Sequence, residues 1–419
     1  VLHVHRAERA DGLIDALRAL LADPLPDPFA AEVVAVPTRG MERWLAQRMS
    51  DRLGVCANVA FPSPRRLVVD AVATASGVDP DSDPWRPERA VWPLLEVVDA
   101  HLAEPWLRSL AAHLGEPEDA ARRARRFATV RHLAGLFDRY ALHRPGMVRA
   151  WARGEDQGWQ AELWRRLRDA VGTPDPAERV EGACARLRAE PGVVDLPARL
   201  SIFGLTRLPA GDLNVLEALA AGRDAHLFLL HPSPALWSKI AALEEHVVRR
   251  RDDPTFTLPA NRLLASWGHD AREMQLVLGV TEHVDHHHPV DLRDDTLLGR
   301  LQHGVRDDVR APSGPADRSI QVHACHGRAR QVEVLRDAIL HLLDEDPALE
   351  PRDVIVMCPD IETFAPLIQA TFGAGEVADD DDEDGDALPP EVRPPDLRVR
   401  LADRSLRQTN PVLGAVASL

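Results

Sequence analysis

The side chains with most chemistry to offer are arginines and histidines, because Lys239 is the only lysine among the 50 basic residues. A GxxxxGK[ST] phosphate loop needs glycines that bring backbone N–H groups to the phosphates and a lysine that neutralises the transferring group. Lys239 lies in Pro234-Ala-Leu-Trp-Ser-Lys-Ile240, where no glycine is present. A restriction-type nuclease needs a lysine two residues after a metal-binding acid, and Trp237 stands in that place. A motor or nuclease built by those routes is therefore excluded within this stretch. His283 and Asp285-His-His-His288 offer imidazoles to a transition metal, but a polar loop before Pro289 is the preferred reading. His226 and His231 bracket a strand without a partnered nucleophile, so a structural role is expected of them. Cys56, Cys184, Cys325 and Cys358 lie far apart with no CxxC pair. That spacing argues against a zinc knuckle or a disulfide framework and for a reducing, cytoplasmic setting.

Nucleic acid is the ligand class the arginines could serve. Arg39 and Arg43 are four apart at a helix start, so they can share a face and reach neighbouring phosphates with help from helix-terminal N–H groups; from the spacing alone an exposed, salt-bridged helix is the preferred reading. Asp138 and Arg144 flank Tyr140, the sole tyrosine. A base can stack on the ring or the guanidinium while the carboxylate accepts from an exocyclic amine. A buried ion pair beside a core tyrosine is the alternative, and Leu136 reads as packing. Arg122, Arg123, Arg125, Arg126 and Arg131 form either a phosphate track or a solvated face neutralised by Glu116, Glu118 and Asp119. The formal charge of −16 does not exclude such a groove, since the run from Asp379 to Asp386 carries −7 and leaves −9 for the rest. Grooves depend on local fields.

These groups must be positioned by more than one core, because 419 residues exceed a typical single-core domain. With 45% apolar and 28% charged residues the chain reads as a soluble globular protein, and no apolar run reaches membrane-span length. It starts at Val1 and stops inside what reads as an unfinished helix, so a fragment is expected. The expected fold is α/β. Strands at 2–5 and 32–36 alternate with helices at 9–22 and 40–53, which implies a parallel sheet with ligands beyond the carboxyl ends of its strands. The pattern turns helical at 66–189, where Trp85, Trp92, Trp106, Trp151, Trp159 and Trp164 are expected as packing anchors. Strand signals return at 199–205 and 225–230, around a helix at 211–221. The expected organisation is a first α/β domain at 1–65 and 190–280, a helical insertion at 66–189, a polar linker at 281–315 and a second α/β unit at 316–419. In that second unit strands are expected at 319–323 and 353–357, with helices at 328–343 and 362–372.

Several motifs in order carry a family resemblance: Asp27-Pro-Phe29, Thr38-Arg-Gly-Met-Glu-Arg-Trp-Leu45, Gly54-Val-Cys-Ala-Asn58, Phe61-Pro62 and Leu136-Phe-Asp-Arg-Tyr140 with Arg144-Pro145. Further along stand Trp159-Gln-Ala-Glu-Leu-Trp164, Asn261-Arg-Leu-Leu-Ala-Ser-Trp-Gly268, Pro351-Arg-Asp-Val-Ile-Val-Met357 and Asp403-Arg-Ser-Leu-Arg-Gln408. Together they resemble the start of the RecC family, the gamma subunits of exodeoxyribonuclease V, over nearly the whole chain.

The resemblance implies an inactive superfamily-1 helicase-like body with a large helical insertion. Such a body is the strand-guiding scaffold of a helicase-nuclease that processes DNA ends for recombinational repair. Expected partners are single- and double-stranded DNA ends and RecB-like and RecD-like subunits, with ATP and magnesium bound there and no cofactor in this chain. Residues 4–12 offer no GK[ST], and the strand at 201–205 runs into Thr206-Arg-Leu-Pro209 rather than an Asp-Glu pair. The family reads a recombination signal in single-stranded DNA. Leu136, Asp138, Arg144 and Arg179 match positions implicated there, while Thr38, Arg39 and Arg43 stand where helicases of this class touch the strand. Pro37, Arg39, Arg43, Ser63, Val69 and Gly135 depart from well-studied relatives, implying strand passage with altered or absent signal specificity. An autonomous ATP-driven helicase, or an assembly subunit without DNA contact, are the alternatives.

Overall fold

The computed structural model describes residues 1–27, 29–114, 121–243, 253–293 and 295–373, with 397, 399, 401 and 412. Contacts divide the chain into two compact units, one of residues 1–37 and 41–314, the other of residues 38–40 and 315–419.

The first unit is built on six strands. β1 (Leu2–Ala7) leads through a two-residue turn into α1 (Ala10–Leu21), which buries Leu13, Ile14 and Leu17 on one face. β2 (Glu32–Ala35), α2 (Arg39–Leu53) and the short β3 (Val59–Ala60) follow. β4 (Arg199–Phe203), β5 (Asp224–Leu230) and β6 (Val284–His287) complete the sheet in the order β3-β2-β4-β5-β1-β6, every neighbour parallel. β4 is buried along its whole length, as expected of a central strand covered on both faces. One face packs Leu2, Val4, Leu200, Ile202 and Leu227 into the larger core, and the other packs Phe203 and Phe228 against α1 and α2.

Between β3 and β4 lie α3 (Pro64–Ala75), α4 (Pro87–His101), α5 (Arg108–Leu114), α6 (Ala121–His143), α7 (Pro145–Ala152), α8 (Trp159–Val171) and α9 (Pro176–Ala189). Their starts are locally encoded: Ser63 accepts from the Arg66 N–H with Pro64 at the first helical position, and Asp175 with Glu178 forms a capping box. Trp85, Trp151 and Trp164 anchor a separate helical core, with ring centroids 5.9 and 6.1 Å from the Trp164 ring. Trp92 is not an anchor of that kind: it is 58% exposed and leans on Phe127. α10 (Ala210–Ala220) joins β4 to β5, and α11 (Pro234–Ala241), α12 (Arg262–Trp267) and α13 (His269–Leu278) precede β6.

The stretch 281–315, expected as a polar linker, instead supplies edge strand β6 and α14 (Leu297–Arg306). A polar sequence can be a strand when it lies at a sheet edge, where one side of the ladder faces water. In the second unit α15 (Arg328–Glu345) and α16 (Ile361–Phe372) pack through Val332, Ile339, Ile368 and Phe372. No strand forms there among the described residues, contrary to expectation, and Val322, Ile355 and Met357 are 92%, 78% and 87% exposed. A strand requires a neighbour to take up its N–H and C=O groups. The acidic run 379–386 and the motif 403–408 lie outside the described residues.

Candidate nucleic-acid interface

The first unit carries two adjoining recesses of ≈ 360 and ≈ 500 Å³. The first is walled by α3, α9 and α10, through Val68, Val69, Val180 and Val215, with Trp85 behind. The second lies where the chain leaves β2 at Pro37 and β4 at Leu205 to Pro209, closed by Met274 and Val277 of α13. This is the carboxyl end of parallel strands, where such sheets hold ligands. Ser63, Arg65, Leu142 and Asp212 line both recesses, so the two form one cleft divided by these side chains.

Charges in the cleft are mostly paired. Arg65 donates to Asp138 at 2.5 Å, Asp70 accepts from Arg66 and Arg86, and Arg207 meets Asp270 at 3.5 Å and Glu273 at 3.3 Å. Asp212, in the first turn of α10, forms no hydrogen bond with a described residue. Burial pushes its carboxyl up to about 6, with Arg65 pulling it back. His143, on the wall of the second recess, is held below the ordinary histidine value by burial and then by Arg65 and Arg207.

Of the residues singled out in the sequence, Asp138 and Arg179 line the first recess. Asp138 is spoken for by Arg65, and Arg179 is buried against Asp83 at 2.6 Å, with side chains 6% and 2% exposed. Tyr140 donates to Gln160 at 3.2 Å and meets Trp151 edge-on, with ring centroids 5.6 Å apart; Leu136 packs against the same core. An ion pair does stand beside a core-packed tyrosine here, but the acid's partner is Arg65 and not Arg144, and the pair is not buried: its side chains are 40% and 28% exposed. Arg144 is exposed where α7 begins. Arg39 and Arg43 are exposed one turn apart on α2, and neither forms an ion pair with a described residue; Thr38, just before them, is exposed as well. Pro37, Ser63 and Val69, named above as departures, also line the cleft. Sequence reasoning missed Arg65, Arg207 and Asp212. The only local signal for Asp212 is an acid in a helix's first turn, which reads as an ordinary dipole partner.

The carboxyl end of β1 is closed. Only Glu8 and Arg9 separate β1 from α1, and the Glu8 side chain, 4% exposed, accepts from His287 at 2.8 Å with Arg306 at 3.9 Å. Arg6 holds Asp285 through two hydrogen bonds and lies 4.7 Å over the Trp237 ring. Across β5, β1 and β6 runs a ladder of imidazoles: His5 meets His226 at 3.1 Å and His288 at 2.9 Å, and His3 meets His286 at 3.0 Å. The alternation of strands puts them on one face. No group of three or more His, Cys, Asp or Glu among the described residues could hold a metal ion.

Comparison with known proteins agrees with the resemblance in the motifs. The model of the family described as "RecC, N-terminal domain" matches residues 2–308. The RecBCD enzyme subunits RecC of Mycobacterium tuberculosis and of Mycolicibacterium smegmatis are each 48% identical over all of this chain, covering 39% and 38% of their own lengths. That of Escherichia coli is 30% identical, again over all of this chain and over 41% of the relative. The chain thus spans about 40% of the length of these relatives. By the extent of that match the chain belongs to the RecC family.

Proposed function

We propose that this chain is part of a non-catalytic, DNA-binding scaffold subunit of a helicase-nuclease, assembling with RecB-like and RecD-like chains in the cytoplasm. In that role it guides the 3′ single strand of a processed double-strand end through a channel and scans it for a recombination signal. The body is helicase-like but inactive, and ATP and magnesium belong to the partner chains. The observation that carries the reading is the cleft at the carboxyl ends of β2 and β4, apolar in its walls and crossed by charged side chains. Such a surface suits unstacked bases more than a duplex, because splayed bases seek apolar walls and edge contacts. Exposed Arg39 and Arg43 on α2 supply the phosphate attraction.

Binding of single-stranded DNA to the full-length protein, followed by fluorescence anisotropy across a salt series, tests this. The expected result is a log-log salt dependence whose slope falls by roughly 1.4 when Arg39→Ala and Arg43→Ala are combined, two phosphate contacts at about 0.7 each. Binding that ignores salt, or an unchanged slope in the double variant, would count against it. DNA-stimulated ATP hydrolysis by the protein without partner chains would overturn the non-catalytic assignment.

A further inference from the structure

The acids of the cleft differ in one respect. Asp138, Asp70, Asp83 and Glu273 each face an arginine within ion-pair distance. Asp212 has no such partner among the described residues; neither has Glu88, but Glu88 is exposed and lines the first recess alone, whereas Asp212 is half-buried and lines both where they meet. Its one nearby cation, Arg65, is turned to Asp138. A partly buried carboxyl with no ion-pair partner among the described residues costs stability, so its place in a wall rich in valine and proline calls for a ligand.

We infer that Asp212 is a base-reading residue: its two carboxylate oxygens accept from adjacent N–H groups on the Watson–Crick edge of a nucleobase turned into the cleft. The inference rests on the proposed single-strand-guiding function and adds a specificity determinant to it. Phosphate is the wrong ligand, because a carboxylate repels it. Among bases, guanine carries two neighbouring donors, N1–H and the N2 amino group, that match two carboxylate oxygens side by side. Cytosine and adenine set one amino group beside an acceptor nitrogen, and thymine sets one N–H between two carbonyl oxygens. The recesses, at ≈ 360 and ≈ 500 Å³, have the size of small-molecule pockets. Val215 and Leu142 offer the ring an apolar wall. Arg65 has the complementary task of counter-ion, free to pass from Asp138 to the occupied acid.

The test uses the full-length protein and three oligothymidine strands that carry guanine, inosine or only thymine at every third position. Inosine keeps N1–H and lacks the N2 amino group. The guanine strand should bind about tenfold more tightly than the all-thymine strand, with inosine between, as expected for one bidentate base contact. Asp212→Asn and Asp212→Leu should erase the ranking and melt no lower than the parent protein, since each removes an acid with no ion-pair partner among the described residues. Equal affinity for the three strands, or a ranking that survives both substitutions, would sink the inference and leave strand guiding intact. Absence of salt-dependent binding to any strand would remove the proposed function and this inference with it.

Discussion

Arg179 shows how far a residue's type lies from its duty. Its guanidinium is spent on Asp83, 96 positions earlier in the chain, and two of its nitrogens, Nε and Nη1, are buried without a hydrogen-bond partner among the described residues. Removing one member of such a pair strands the other charge. Arg179→Ala is therefore expected to destabilise the protein by about 3–5 kcal/mol in chemical denaturation, a loss that any DNA-binding assay of this variant has to subtract. Asp212 makes the opposite prediction. Its carboxyl titrates near 6 in the folded protein, above the ordinary value of about 3.9. The unfolded chain thus releases that proton at lower pH, so the group opposes folding at neutral pH, does so progressively less as pH falls from about 6, and no longer does so below about 3.9. Asp212→Asn should raise stability at pH 7.5 by on the order of 2 kcal/mol and leave it nearly unchanged at pH 4. Asp138 was legible as one member of an ion pair, because its neighbours limit the alternatives. Its partner was not, since Arg65 arrives from α3, 73 positions earlier.

At the scale of elements, the strands and helices around β1, β2, β4 and β5 were legible because these strands alternate or carry short apolar runs and their helices repeat every third or fourth residue. β6 was not. Its Val284-Asp-His-His287 looks like loop composition, and only the register against β1, pairing His5 with His286 and Arg6 with His287, makes it a strand. That register also builds the imidazole ladder, which predicts acid lability. Burial and neighbouring rings depress His5 to about 3 and His226 to about 4, and lower His3 and His288 as well. Asp224 beside His3 and His226, and Asp285 beside His288, work against this, while Arg199 and Arg6 reinforce it. Unfolded histidines protonate near 6.5, so stability falls as pH drops from about 6.5 toward 4. His5→Phe, which keeps the stack on Phe228 at 4.5 Å, should flatten that fall by about 1 kcal/mol per pH unit, read from denaturation midpoints between pH 6.5 and 4.5.

For the molecule as a whole, a net charge of −16 says little about where a polyanion can go. The acidic stretch from Asp379 to Asp386 supplies −7 of it. Replacing those acids with serine is expected to raise single-strand affinity a few-fold at low salt and not at all at about 0.3 M, because repulsion carried through solvent is screened within roughly a Debye length. The second unit was the least legible part: the alternation at 319–323 and the valine-rich 353–357 have the composition of strands, but composition supplies no neighbour.

The two-residue turn after β1 bears on any attempt to build a nucleotide cradle at this strand end. Installing a lysine there would be futile, because a nucleotide cradle needs a long glycine-rich excursion and Glu8 and Arg9 leave none. Glu8, tied to His287 and Arg306, would have to be evicted as well, and a side chain at Gly12 would collide with Val290 at 2.7 Å. Building such a cradle at this strand end would take an insertion, a deletion of charge and a repacked edge at once.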